Sequence, residues 1–510
     1  MNANLYTLFQ SRFPFDYEAC CFENADGVQT SYAAVDRDSG RMAGILRAVG
    51  VEPGDRVLVQ VEKSVEAALL YLACLRVGAV YLPLNTAYTE HEVAYFFEDA
   101  EPKLVVCSPG NHAGMKAMMD DRFAARLLTL GGDGSGSLMD AFAHTAVDDR
   151  IAERAGDDLA AILYTSGTTG RSKGAMLSHE NLASNALALH EIWGWCAGDV
   201  LIHALPIFHV HGLFVAIHCA LLNASPMLFL PRFDADAILE RIPRASVLMG
   251  VPTFYTRLLE RPELSPSLCA GMRLFISGSA PLLEETFTAF EQRTGMRILE
   301  RYGMTEAGMI TSNPLHGERI PGSVGYFLPG VSGRVADDQG REVPRGTPGV
   351  LEITGPNVFK GYWRMPDKTA SEFRPDGHFI TGDIATMAED GRIAIVGRAK
   401  DLIISGGFNI YPKEVELVID DIEGVKESAV VGVPHPDFGE AVVAAVVATG
   451  GRQLGEADVI ALLADRLAKF KQPKRVFFLP ELPRNTMGKV QKNQLREMYS
   501  DIFDHQTPGG

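Results

Sequence analysis

The sequence predicts an α/β fold: a large N-terminal α/β domain of several subdomains carrying a small antiparallel β subdomain, then a small α+β C-terminal domain. Three observations predict it. At 510 residues the chain is too long for one ordinary core. Short β-branched runs alternate with longer amphipathic stretches through most of it, the pattern of buried strands with helical crossovers. Near position 332 this texture gives way to short strands separated by tight Gly, Pro and Asp turns.

In chain order, "DRVLVQV" (55–61) predicts a strand, and "SVEAALLYLACLRVG" (64–78) a helix, because its apolar residues recur at helical spacing. "PKLVVCS" (102–108), "SVLMGV" (246–251) and "MRLFISG" (272–278) predict further buried strands. "GRVADDQGREVPRGTPGVLEITG" and "GRIAIVG" predict a small antiparallel barrel or sheet. A new unit begins after "VGRAKDLIISGGFNIYP", so the boundary is placed near Arg398–Asp401, with domains 1–398 and 399–510. The terminal "DHQTPGG" predicts disorder.

Composition narrows the function classes. With 46% hydrophobic and 22% charged residues the chain is globular rather than disordered. A net charge of −17 would repel a phosphate backbone, so no nucleic-acid partner is expected. The start lacks a basic segment followed by an apolar one, so no signal peptide is read. "HGLFVAIHCALLNASPMLFL" is broken by His211, His218, Asn223 and Pro226, so no membrane span or membrane partner is expected. Seven cysteines show no paired metal spacing, and the adjacent Cys20 and Cys21 read as core thiols. A reducing cytoplasm fits that usage.

"LYTSGTTGRSKGAML" (163–177) combines flexible glycines with hydroxyls and cations. Gly167, Gly170 and Gly174 let a backbone approach a ligand closely. Thr165, Ser166, Thr168 and Thr169 add hydroxyl donors, and Lys173 a point charge suited to phosphate. A surface linker is the bland alternative. The strand-like run before the loop and the helix-like "SHENLASNALALH" after it favour a polyphosphate cradle. It is not the P-loop pattern, which would need Gly-Lys followed by Ser or Thr; here the order is Ser172-Lys173-Gly174.

Four further stretches, in order, are "YGMTE" (302–306), "TGD" (381–383), "GRAKDLIISGGFNIYP" (397–412) and "PRNTMGK" (483–489). With the glycine loop they make the chain resemble the adenylate-forming superfamily of acyl-CoA synthetases, luciferases and peptide-synthetase adenylation domains, over nearly its whole length. That resemblance implies activation of a carboxylate by ATP to an acyl-adenylate, release of pyrophosphate, rotation of the small domain, and transfer of the acyl group to a thiol. "ERYGMTE", "SGSAPL" and "PRNTMGKVQKNQLR" look most like malonyl-CoA synthetases. The implied substrates are malonate, ATP and coenzyme A, with Mg²⁺ as cofactor. The rivals are a ligase for methylmalonate or for a medium-chain or aryl monocarboxylate, a carrier-loading adenylation module, and a non-catalytic binding protein.

The same resemblance implies the roles. Thr165, Ser166, Gly167, Thr168, Thr169, Gly170 and Lys173 would hold the β- and γ-phosphates, and Thr305 the α-phosphate. Glu306 and Thr165 would hold Mg²⁺. Gly278, Ser279, Ala280 and Tyr302 would frame adenine, and Asp383 would bind the ribose hydroxyls with help from Arg398. Lys489 would be the catalytic lysine bridging carboxylate and α-phosphate, and a target for a lysine acetyltransferase. Lys400 would be the hinge, and Gly406 and Gly407 the pantetheine strip. Lys469, Lys471 and Lys474 would meet CoA phosphates or form a solvated face.

His209 matches the residue that closes the acyl pocket, and Val210 stands where malonyl-CoA synthetases commonly carry threonine. Arg301 matches a pocket position usually small in relatives that take apolar acids; it would grip the second carboxylate of a short diacid. Otherwise Arg301 pairs with Glu300 or Glu284. Arg232, Arg257, Arg273 and Ser277 are reserve candidates for that grip.

Overall fold

The computed structural model describes residues 2–119, 125–165, 172–405, 408–436, 438–449, 454–464, 466–467, 469–486 and 488–503, side chains 91, 408 and 409 excepted. The terminal "DHQTPGG" lies outside them. It is a mixed α/β molecule in two compact units. The first comprises Met1–Pro321, Gly325–Ser332 and Thr354–Phe379; the second comprises Gly322–Val324, Gly333–Ile353 and Ile380–Gly510.

Two large sheets organise the first unit. Among the described residues one has six strands, ordered Arg126–Thr129, Leu104–Cys107, Arg56–Gln60, Val80–Pro83, Leu159–Thr165 and Lys173–Ser178. It is parallel up to Leu159–Thr165, and the last strand returns antiparallel. The other has nine strands and includes the parallel run Leu201–His203, Val247–Gly250, Leu274–Ser277 and Leu299–Met304. The expected strands therefore form within two residues of their predicted ends.

The helix Val65–Val77 shows why these crossovers form. Ser64 accepts a hydrogen bond from the Ala67 N–H at its N-terminus, and Gly78 ends it at φ +78°. Nearly every side chain between is buried, as expected for a helix that is apolar almost all round. The apolar stretch after His209 becomes a π-helical segment, His211–Ile217, continuing as the α-helix His218–Leu222, all of it buried. Among the described residues no helix is long and apolar enough to cross a membrane.

The second unit holds the four-stranded sheet Ser332–Ala336, Gly349–Thr354, Phe379–Met387 and Ile393–Arg398, and a five-stranded sheet built on the long hairpin Val425–His435/Gly439–Ala448. Ile403, Val430, Val442, Val446 and Val476 fill one side of that hairpin, and Val431, Val443, Leu482 and Leu495 the other. Each such buried aliphatic side chain stabilises the fold by about 1.5–3 kcal/mol. The four-stranded sheet thus belongs to the same compact unit as the C-terminal residues.

Candidate active site

The glycine loop connects two adjacent antiparallel strands, with Thr165 and Lys173 as register partners. Ser166, Gly167, Thr168, Thr169 and Gly170 lie outside the described residues. The helix expected directly after the loop, His179–Ile192, starts only after the strand Lys173–Ser178, where Ser178 and Asn181 form its capping box. The described strands on either side of the loop thus pair with each other, and the helix begins only after the second.

Lys173 extends from that hairpin to Glu372, with Nζ 3.2 Å from Oε1, and lies 4.2 Å from the centre of the Tyr362 ring. The Tyr362 hydroxyl lies 2.8 Å from Glu372 Oε2 and 3.0 Å from Glu306 Oε1. One hydroxyl hydrogen serves two carboxylates, so it donates to one at a time. Burial, then Glu306 and Glu372, push the tyrosine pKa up, and it stays neutral. Glu306 sits in the turn between the antiparallel strands Leu299–Met304 and Gly308–Ser312 and is itself buried; Thr305 and Tyr302 beside it are half-buried.

Gly278, Ser279 and Ala280 follow the C-terminal end of the strand Leu274–Ser277, the edge where open parallel sheets place ligands. Ser279 holds φ at +71°, a left-handed value that L-residues seldom adopt. Its hydroxyl lies 3.3 Å from Nδ1 of the buried His211. His209 is half-buried, and its Nδ1 accepts the His211 N–H at 3.3 Å.

Arg301 is 2% exposed, and its Nε and Nη2 have no hydrogen-bond partner among the described residues. It packs on Gly278: a Cβ there would stand 2.5 Å from its Cζ. Burial lowers its pKa, with Tyr255 opposing, but a guanidinium remains charged at neutral pH. No pair with Glu300 or Glu284 forms among the described residues; Glu300 Oε1 instead accepts the Leu282 N–H. Of the reserve arginines, Arg273 is committed to Asp199 through two hydrogen bonds, Arg257 lies over Phe233, and Arg232 is exposed. Ser277 is buried with its hydroxyl unpartnered.

In the second unit Asp383 and Arg398 are register partners on adjacent strands, joined by a 2.6 Å ion pair. Lys400 lies in the single turn Ala399–Asp401 that follows. Lys489 sits on a tight turn: Asn485 N–H donates to its carbonyl, its own N–H donates to Asn485 Oδ1, and Gly488 takes φ +73°. The residue retains exposed surface, yet desolvation of its ammonium group holds the pKa down to about 8. Arg398 and Lys400 add to the lowering, and Asp383 and Asp401 oppose it. Among the nearby lysines, Lys492 pairs with Glu416, Lys471 with Glu414, and Lys474 lies over Phe438. Gly406 and Gly407 lie outside the described residues.

The family described as AMP-binding enzyme matches residues 9–363, and its C-terminal domain matches residues 414–489. The chain belongs to the AMP-binding enzyme family. It is an AMP-forming acid–CoA ligase of the adenylate-forming superfamily. Its fold superposes on ATP-bound MatB from Rhodopseudomonas palustris with a TM-score of 0.97 at 57% identity, covering 99% of this chain and 100% of that one. It is 34% identical to a mitochondrial malonate–CoA ligase of Mus musculus over 91% of this chain and 86% of the relative. It is 35% identical to a feruloyl-CoA synthase of Amycolatopsis sp over 93% and 94% respectively.

As an AMP-binding enzyme, the protein gathers the expected residues in two groups. Lys173 and Glu306 meet through Tyr362, and Gly278, Ser279 and Arg301 share one strand edge. Asp383, Arg398, Lys400 and Lys489 share an electrostatic neighbourhood in the second unit. Sequence reasoning missed Tyr362, Glu372 and His211. For His211 the available signal was its place two residues after His209; for the other two, nothing local distinguishes them from structural side chains.

Proposed function

We propose that this ligase joins malonate to coenzyme A through a malonyl-adenylate, releasing AMP and pyrophosphate. The observation that carries the choice of acid is Arg301. A buried cation with two nitrogens unpartnered among the described residues is costly, and a substrate carboxylate reaching it would offset that cost by a charge-assisted, forked pair. A medium-chain or aryl monocarboxylate would set apolar surface there and leave the guanidinium unpaired. Ser277 offers a hydroxyl at the end of the neighbouring strand.

The remaining roles follow from charge. A carboxylate attacking a triphosphate meets repulsion, so the site must supply cations and oriented donors. Lys173 and the loop hydroxyls of Thr165, Ser166, Thr168 and Thr169 hold the β- and γ-phosphates, with Gly167 and Gly170 letting the backbone approach. Thr305 meets the α-phosphate. Gly278, Ser279, Ala280 and Tyr302 frame adenine. The Asp383 carboxylate, paired with Arg398, accepts from the ribose hydroxyls. Lys489 neutralises the charge developing between carboxylate and α-phosphate.

A divalent cation also fits this chain. Glu306 and Thr165 offer oxygen ligands, the donor type Mg²⁺ takes beside waters and phosphate oxygens. Glu306, a buried carboxylate with hard oxygen donors around it, and Thr165 would hold it. Bound there, Mg²⁺ would draw negative charge from the phosphates. The domains are taken as 1–398 and 399–510, pivoting at Lys400 to bring Gly406 and Gly407 to the pantetheine arm. A cytoplasmic enzyme is the setting proposed.

The test is pyrophosphate release measured over a panel of acetate, propionate, butyrate, malonate, methylmalonate, succinate and benzoate. Malonate should head the panel. A monocarboxylate at its head would overturn the proposal.

A further inference from the structure

The acyl side of the site holds more unpartnered polarity than one arginine. His211 is fully buried, and its Nε2 has no hydrogen-bond partner among the described residues. Its other ring nitrogen, Nδ1, is 3.3 Å from the Ser279 hydroxyl. Ser279 directly follows Gly278, the residue on which the Arg301 guanidinium rests, with two of its own nitrogens unpartnered. Two consecutive residues of one strand end are therefore flanked by two buried side chains, each with an unfilled polar end. Buried polar groups in native proteins are nearly always satisfied, so two such groups at one place point to a shared ligand atom.

The backbone around His211 is built to fix that ring. His203 Nε2 is 2.8 Å from the carbonyl oxygen of Gly212, the residue after His211, and its Nδ1 is 2.8 Å from Lys63 Nζ. A carbonyl oxygen can only accept, so Nε2–H is the donor to Gly212, and the neutral ring's Nδ1 accepts from Lys63. Gly212 admits no side chain, since a Cβ would lie 2.1 Å from the Pro206 carbonyl oxygen. The segment then enters the π-helical turn His211–Ile217, a form found mostly at functional sites.

We propose that His211 is a specificity residue: neutral, taking its Nδ1 hydrogen bond from Ser279, it donates Nε2–H to the substrate carboxylate that Arg301 grips. This rests on the malonate reading. Arg301 supplies the charge, and His211 fixes which oxygen lies where. The environment keeps the imidazole neutral, as a donor without added charge requires: burial first, then Arg301, His209 and His203, hold its pKa far below the usual value. A monocarboxylate of the same length leaves both donors unfilled. The pair thus discriminates by leaving buried polar groups unsatisfied with the wrong acid.

Three variants of the full-length enzyme test this, each read as the malonate-to-propionate ratio of kcat/KM. His211→Phe keeps the ring volume and removes both nitrogens; the ratio should fall about 10- to 100-fold, the worth of a hydrogen bond to a charged group. His211→Gln carries an amide N–H to about the place of Nε2 and should restore part of the ratio. His211→Asn carries it only as far as Nδ1 and should not. A ratio unmoved in all three, with both acids losing activity alike, would overturn the inference while leaving the malonate reading standing. Equal ratios for Gln and Asn would also overturn it, because the donor at Nε2 would then be irrelevant. A wild-type enzyme that ignores malonate takes both readings down.

Discussion

The guanidinium of Arg301 rests on Gly278 so closely that a Cβ there would stand 2.5 Å from Cζ and Nη1 and 2.7 Å from Nε. The atoms met are the far end of a flexible side chain, so Gly278→Ala should fold and shift the guanidinium rather than break the strand. That displaces the charge without removing it. Malonate kcat/KM should fall about tenfold more than propionate kcat/KM, a cost typical of modest overpacking. Equal losses for the two acids would mean that the displaced arginine does not face the acyl group.

The pH dependence follows from Lys489, whose pKa is held down to about 8. Its neutralising role needs the protonated form, present below that value and lost as pH rises through it. Adenylation kcat/KM, followed by pyrophosphate release, should therefore decline above about pH 8. Lys489→Arg, slower but charged throughout, should lose that alkaline limb. A limb unchanged in the arginine variant would assign it to another group.

Glu306 and Glu372 both accept from the Tyr362 hydroxyl, which donates to one of them at a time. Glu306→Gln replaces it with an amide, a poorer ligand for a hard cation. The Mg²⁺ concentration giving half-maximal turnover should rise by about tenfold or more. An unchanged Mg²⁺ titration removes Glu306 from the metal site.

Lys400 occupies the single turn Ala399–Asp401 between the strands Ile393–Arg398 and Ile403–Ser405. Lys400→Pro fixes φ there and should obstruct a backbone rotation. Adenylation from ATP should persist while thioester formation from a supplied acyl-adenylate fails. Loss of both half-reactions together would show a folding defect or a pivot elsewhere.

Much of this was legible in the sequence because it is local. Strands such as Leu104–Cys107 and Leu274–Ser277 are short apolar runs with polar or glycine ends, and the helix Val65–Val77 carries both of its caps in sequence. The hairpin at Lys173–Ser178 was not, because "KGAML" has too few alternating positions to show a strand period against the helix that follows. Tyr362 and Glu372 come to Lys173 from almost two hundred residues away, and no spacing rule reports such a meeting. Arg301 could be singled out as a cation in an unexpected place, but that no group among the described residues pairs with its Nε and Nη2 is a property of the folded interior.

The central claim is that Arg301 selects a short diacid, and Arg301→Ala tests it most directly, read as kcat/KM for malonate and for propionate in the same enzyme preparation. Removing one partner of a buried pair costs roughly 3–5 kcal/mol, so malonate kcat/KM should drop by about two to three orders of magnitude. Propionate kcat/KM should fall far less, or rise, as the cavity loses its unpaired charge. Malonate use that survives Arg301→Ala, with ATP binding intact, would contradict the account.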